Sequence, residues 1–277
     1  MKKNILIPTD FSDNAWSAIV YALKLYAKES CTFYFFNTIN NEALAQRSLV
    51  TGHFLEELKT KAWQKLLDLK ELAMVSNDTE NHDFEIVLST EKLTSAILNT
   101  IKEYQISLVV MGTKGASNKD TIFFGSNTIS VFKNIKSCPV LIVPDEYDFV
   151  KPKKVAFPTD YNRFYKDTEL EALSEITQLY NATIKIIHIQ ERKELSKVQQ
   201  YNLNQLDRFL QDFEHSFHWM PNYAKKATVI NDFIEELSID LLAIVNYQHS
   251  FIENLIKEPV VKNIGSHPII PLLVIPE

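Results

Sequence analysis

Short apolar runs and amphipathic segments alternate along the first half of the chain. Apolar residues at helical spacing predict helices over 55–74 and 93–104, and another helix is expected to begin at Ser12, which can act as its cap. Strands that alternate with helices indicate an α/β domain built on an open parallel sheet with right-handed crossovers. The apolar runs predict these strands at 4–9, 32–38, 84–88, 108–111 and 140–143.

The second half of the chain repeats the first. A Pro-Thr-Asp sequence ends the apolar run at 5–10 and again at 155–160. The run 138–144 returns almost position for position at 270–276. A repeat of about 140 residues indicates a duplicated domain, because solenoid repeats are roughly 20–50 residues long. Further strands are predicted at 183–190 and 241–245.

A charged segment interrupted by Pro152 separates the two copies. We therefore expect tandem domains at 1–146 and 152–277, with the boundary between 145 and 154.

The composition fits two soluble domains of ordinary size. The chain has 277 residues, 45% hydrophobic and 23% charged, which suffices for a sizeable core. A formal net charge of −6 argues against a nucleic-acid-binding protein, because such proteins usually carry a basic face. No apolar run reaches the length of a membrane span, and Pro8 cuts short any signal-peptide core. With only Cys31 and Cys138 there is no disulfide framework, so we expect a cytoplasmic protein without nucleic-acid or membrane partners.

Three of the five glycines lie in one stretch between the strand at 108–111 and the next predicted helix. Gly112, Gly115 and Gly125 follow the pattern glycine, two residues, glycine, nine residues, glycine-serine. A strand, glycine loop and helix start are typical of a phosphate site, because main-chain N–H groups can approach an anion there. The spacing is neither GxGxxG nor a P-loop. An ordinary connection is the alternative, but a chain so poor in glycine argues against it.

The glycine spacing resembles the nucleotide-binding loop of the universal stress protein family. The resemblance includes Asp10 after the first strand and the apolar run 138–144, and so covers almost all of residues 1–144. It implies a Rossmann-like sheet with strand order 3-2-1-4-5. The order reverses between strands one and four, which would bring Asp10 beside Gly112.

The same resemblance implies how the two domains are used. Family members pair through their last strands, so 140–143 and 272–275 are expected to pair within the chain as an intramolecular pseudo-dimer. Whether two chains form a further homodimer is left open by the sequence.

The resemblance implies an adenine nucleotide, ATP or AMP, in the first domain. Asp10 would accept hydrogen bonds from a ribose hydroxyl or help to hold Mg²⁺, since a carboxylate is a poor neighbour for phosphate. Thr38 lies where family members bind adenine through the main chain, and Met111 is either a contact of the base or sugar or a plain core residue. The complete set of candidate nucleotide-binding residues is Pro8, Thr9, Asp10, Thr38, Met111, Gly112, Gly115, Gly125, Ser126 and Asn127.

The second domain lacks the glycine loop. No glycine occurs in 246–250, directly after the strand at 241–245, and Glu258 would repel an anion. The later Gly265 lies too close to the final strand. We therefore expect a degenerate domain and one nucleotide per chain. Asp160 is interpreted as a cap at its strand end.

The remaining ionisable residues form no catalytic constellation that the sequence can identify. His188 is interpreted as a half-buried, hydrogen-bonded residue, and the pair His215 and His218 lacks a further metal ligand. The favoured function is a nucleotide-binding regulatory protein of the stress response with an unidentified protein partner. The alternatives are a slow ATPase or adenine-nucleotide hydrolase, and an interaction scaffold that binds no nucleotide.

Overall fold

The chain divides into two compact units, Met1–Phe149 and Val150–Glu277. The division falls shortly after the expected end of the first domain, because Phe149 packs its ring against Tyr21 with centroids 5.2 Å apart. The computed structural model describes residues 2–39, 52–113, 124–190, 194–247 and 270–277.

The first unit is a parallel sheet flanked by helices. Its strands are β1 (Lys3–Pro8), β2 (Cys31–Thr38), β3 (His82–Ser89), β4 (Leu108–Gly112) and β5 (Val140–Val143). Its helices are α1 (Asp13–Leu25), α2 (Gly52–Val75), α3 (Leu93–Glu103) and α4 (Ser126–Asn134). The strand order is β3-β2-β1-β4-β5, which confirms the predicted order.

Burial explains why the apolar runs form the central strands. Every residue of β4 is buried, and Ile5, Leu6 and Ile7 of β1 are fully buried. Each such side chain contributes about 1.5–3 kcal/mol when it leaves water. Helix α1 begins where predicted, because the Ser12 hydroxyl accepts a hydrogen bond from the N–H of Ala15 (3.3 Å).

The second unit has the same sheet topology. Its strands are β6 (Lys154–Pro158), β7 (Thr183–Gln190), β8 (His215–Pro221), β9 (Leu241–Asn246) and β10 (Leu272–Pro276). Its helices are α5 (Asp167–Tyr180), α6 (Lys197–Phe209) and α7 (Lys226–Leu237). The order β8-β7-β6-β9-β10 matches the first unit strand for strand. His215 and His218, the two histidines that lack a further metal ligand in the sequence, lie in strand β8.

In each unit the strand order reverses beside the first strand. The chain runs outward through β1, β2 and β3 and returns to place β4 on the other side of β1. Loops that leave β1 and β4 therefore diverge and leave a crevice at the carboxyl ends of these strands. This crevice is the candidate functional site of the first unit.

Candidate functional site

Strands β1 and β4 bring two distant parts of the sequence to one edge. Ile5 pairs with Leu108 and Leu6 with Val109, so the two strands run side by side and end together. The next residue after β1, Thr9, is buried and donates its N–H to the carbonyl of Phe36 on β2 (2.8 Å). The Pro-Thr-Asp sequence thus leaves the sheet beside the end of β4.

Asp10 lies in a tight turn that its own side chain stabilises. Its Oδ1 accepts hydrogen bonds from the N–H (3.1 Å) and the hydroxyl (2.6 Å) of Ser12. Phe11 adopts the left-handed region with φ 64°, which is uncommon for a residue with a side chain. Its N–H is held by the Thr9 hydroxyl at 2.9 Å. The turn orients an exposed carboxylate at the mouth of the crevice.

The end of β2 supports this turn. Asn37 donates from Nδ2 to the carbonyl of Thr9 (2.7 Å). The Thr38 hydroxyl donates to the carbonyl of Glu91 (2.5 Å), so this side chain is engaged by the loop after β3.

Close packing of α1 against β4 explains the glycine at position 112, and the sequence did not indicate this reason. A Cβ at this position would lie 1.8 Å from Oδ1 of Asn14 and 2.9 Å from its carbonyl oxygen. Helix α1 therefore approaches β4 so closely that no side chain fits between them. The expectation that Gly112 serves close approach of the main chain to a ribose or phosphate is not needed to explain this residue.

The two ends of the glycine loop are tied together at the end of β4. The N–H of Gly125 donates to the carbonyl of Thr113 (2.7 Å), and the Thr128 hydroxyl donates to the carbonyl of Gly112 (3.0 Å). The N–H of Thr113 in turn donates to the carbonyl of Val143 on β5 (3.0 Å). These bonds place the start of α4 directly at the carboxyl end of β4. Gly115 lies outside the described residues.

Helix α4 begins without a side-chain cap from the residues that the structure describes. Gly125 is the N-cap, one residue before the Ser-Asn-Thr run that predicted the helix start, and no side chain in the described part of the chain caps it. Ser126 and Asn127, the first helical residues, are exposed. A helix N-terminus combines free N–H groups with the positive end of the helix dipole, so it attracts anions.

The structure thus brings most of the predicted site residues to one edge of the sheet. Met111 is buried in β4 opposite Ile142 and is a core residue in the described structure. Pro8 is buried at the end of β1. No group of three or more His, Cys, Asp or Glu side chains that could hold a metal ion occurs among the residues described.

Comparison with known proteins identifies the family of the chain. Residues 1–144 match the Universal stress protein family. The chain belongs to this family. It is 29% identical over 149 residues to Universal stress protein YxiE of Bacillus subtilis, a match that covers 52% of this chain and 99% of the relative. It is 28% identical over 158 residues to Universal stress protein MJ0531 of Methanocaldococcus jannaschii, covering 55% of this chain and 84% of the relative.

The fold is shared over almost the whole length. A crystal structure of a universal stress protein from Archaeoglobus fulgidus superposes with a TM-score of 0.69, covering 99% of this chain and 96% of that chain at 18% identity. No helix in the described ranges combines the length and the apolar character needed to cross a membrane.

The second unit of this universal stress protein keeps the turn. Asp160 accepts a hydrogen bond from the N–H of Asn162 (3.0 Å), and Tyr161 has φ 56°, as in the turn at Asp10. His188 is buried and donates from Nδ1 to the carbonyl of Thr159 (3.0 Å), as Asn37 does in the first unit. The interpretation of Asp160 and His188 as structural residues agrees with these contacts.

Side chains of the second unit gather beside the turn at Asp160. The segment between the Asp and the following helix is longer here, 161–166 instead of 11–12, and supplies Arg163 and Tyr165. The Arg163 guanidinium lies 5.0 Å from the ring centre of Tyr247 and 5.3 Å from that of Tyr165, and it forms an ion pair with buried Glu169. The Tyr247 hydroxyl donates to Asp160 (3.2 Å). Burial raises the pKa of both tyrosines, so they remain neutral.

We call Arg163, Tyr165, Glu169 and Tyr247 the arginine plug. The sequence pattern did not predict this cluster. The usable signal was the segment after Asp160, which is longer than the segment after Asp10 in the first repeat.

Proposed function

We propose that the first unit binds an adenine nucleotide, ATP or AMP, and that occupancy regulates contact with a protein partner in the stress response. The observation that carries the proposal is the convergence of the Asp10 turn and the exposed start of α4 at the strand-order reversal. This crevice offers main-chain donors for phosphates and a carboxylate for a sugar.

The proposed roles follow from the chemistry of each group. The N–H groups of Ser126 and Asn127, together with the Ser126 hydroxyl, would bind phosphate at the start of α4. Asp10 would accept from a ribose hydroxyl or bind Mg²⁺ beside the phosphates. The main chain at Thr38 would contact the adenine, since its hydroxyl is already engaged. Gly115 belongs to the proposed site by its place in the family pattern.

We further propose one nucleotide per chain. Two observations support this: the arginine plug of the second unit gathers beside the turn at Asp160, which corresponds to the turn at Asp10, and Tyr247 rather than a small residue follows β9. We propose binding rather than turnover. Hydrolysis needs a general base or a positioned water at the γ-phosphate, and the sequence identifies no catalytic constellation that could supply either. Analysis of ATP after incubation with the protein tests this point, and steady formation of ADP or AMP would favour the hydrolase.

The substitution Ser126→Pro tests the main-chain contact directly. Proline is well tolerated at the first position of a helix and lacks the N–H. The preceding Gly125 has φ −61° and ψ 150°, which suits a residue before proline. We expect ATP affinity, measured by isothermal titration calorimetry, to fall by about tenfold or more, since a charge-assisted hydrogen bond is lost.

Ser126→Ala is the matched control because it keeps the N–H and removes only the hydroxyl. It should weaken binding by no more than about threefold, and neither variant should change the melting temperature of the ligand-free protein appreciably. Equal affinity of wild type and Ser126→Pro would contradict the proposed contact. Absence of ATP binding by the wild type, or a stoichiometry of two, would contradict the proposed function or its single site.

A further inference from the structure

A buried asparagine on α1 connects the packing of the first unit to its candidate site. Asn14 is 5% exposed and lies under the end of β4. Its Nδ2 donates to the hydroxyl of Thr113 (3.3 Å). Its side chain occupies the notch that Gly112 leaves open.

The amide group of Asn14 is only partly satisfied. Its Oδ1 is buried and has no hydrogen-bond partner among the described residues. A buried polar atom without a partner lowers stability, so packing alone does not explain an asparagine here.

The contacts of Asn14 lead to the start of α4. Thr113, which Asn14 holds through its hydroxyl, accepts the N–H of Gly125 at 2.7 Å through its carbonyl. Gly112, whose notch Asn14 fills, accepts the Thr128 hydroxyl at 3.0 Å. Both carbonyls that fix the first turn of α4 therefore belong to residues that Asn14 touches.

We propose that Asn14 is a positioning residue of the nucleotide site, which acts through Gly112 and Thr113 to set the first turn of α4. This inference rests on the proposed function. It assigns Asn14 to the phosphate end of the ligand, because α4 is the element it positions, whereas the base and sugar of the proposed nucleotide would lie beside β1 and β2.

The test compares ATP with adenosine, which has the same base and sugar without phosphates. In Asn14→Ala we expect affinity for ATP to fall by about fivefold to tenfold, while affinity for adenosine stays within about twofold of wild type. A purely structural role would weaken both ligands alike or change only the melting temperature. Isothermal titration calorimetry with each ligand gives the ratio of ATP affinity to adenosine affinity.

Asn202→Ala is the matched control. Asn202 is a similarly buried asparagine in the second unit, 7% exposed, whose Nδ2 donates to the carbonyl of Tyr161 (2.8 Å). Its loss should lower stability and leave the ratio of ATP to adenosine affinity unchanged. An unchanged ratio in Asn14→Ala, in a chain whose wild type binds ATP, would overturn the positioning role and leave the proposed function intact. A wild type that binds neither ligand would overturn both.

A second measurement checks the notch. Gly112→Ala should reduce the yield of folded protein or its melting temperature, and adding Asn14→Ala should restore part of the loss, since the 1.8 Å contact is to the asparagine side chain. Restoration is expected to be partial because the carbonyl of Asn14 is also close, at 2.9 Å. A Gly112→Ala variant as stable as wild type would show that Asn14 does not fill this space.

Discussion

At the scale of single residues, Arg163 is the centre of a cluster of charged and aromatic side chains in the second unit. Its guanidinium lies against the rings of Tyr165 and Tyr247 and pairs with Glu169, which is 4% exposed. Glu169 also accepts the N–H of Lys166 (2.7 Å) at the start of α5. A carboxylate buried to this extent needs its partners, because removing the cation would leave a charge without compensation.

We predict that Arg163→Met lowers the free energy of unfolding by about 3 kcal/mol. The double variant Arg163→Met/Glu169→Gln should recover more than half of this loss, because glutamine is neutral and still accepts from Lys166. Urea unfolding of the three proteins measures the effect. A change below about 0.5 kcal/mol in Arg163→Met would mean that the plug contributes no more than a surface ion pair.

At the scale of secondary-structure elements, two helices of the second unit end in the left-handed conformation. Asn181 follows α5 with φ 49° and ψ 49°, and Ser238 follows α7 with φ 52° and ψ 60°. Glycine fits this position best and asparagine tolerates it, whereas serine is less well suited. The main chain of both caps satisfies carbonyls of the preceding turn.

We predict that Ser238→Gly raises the free energy of unfolding by about 0.5–1 kcal/mol. Asn181→Gly is the comparison and should gain less, because asparagine already adopts this conformation at low cost. Thermal unfolding by circular dichroism measures both. A loss of stability in Ser238→Gly would show that the serine side chain contributes more than the backbone strain costs.

Strands were easier to predict than the features that select function. The run at β5 is apolar and lies between two prolines, and the run at β7 is rich in isoleucine. The structure begins and ends both strands as predicted, at Val140–Val143 and Thr183–Gln190. Strand β8 mixes polar and aromatic residues at the edge of its sheet, so it lacked the apolar signal of a buried strand. The fit of Asn14 against Gly112 depends on how closely α1 approaches β4, which no local pattern encodes.

At the scale of the whole molecule, both units contain a histidine whose neutral form the fold favours. Burial, with a smaller contribution from the charge of Lys2, lowers the pKa of His82 in the first unit, against the opposing carbonyl of Tyr26. Burial, followed by the charge of Lys185, lowers the pKa of His218 in the second unit. The folded-state pKa of each therefore lies below the ordinary value of 6.5.

We predict that these two lowered pKa values reduce the free energy of unfolding in mild acid. As the pH falls below about 6.5, the unfolded chain binds protons before the folded chain does, so stability is complete above that pH and declines as the pH approaches the folded pKa values. Urea unfolding between about pH 7.5 and 5 should show this decline. His82→Gln/His218→Gln should flatten the profile, and an unchanged slope would assign the decline to other groups.

The arginine plug has a consequence for how the two halves sense their surroundings. Its parts belong to the same polypeptide, so their effective concentration is constant and no metabolite has to supply them. If the second half binds no nucleotide, as proposed, its folding is insulated from the adenylate energy charge of the cell. The proposed site would then leave only the first half exposed to that signal.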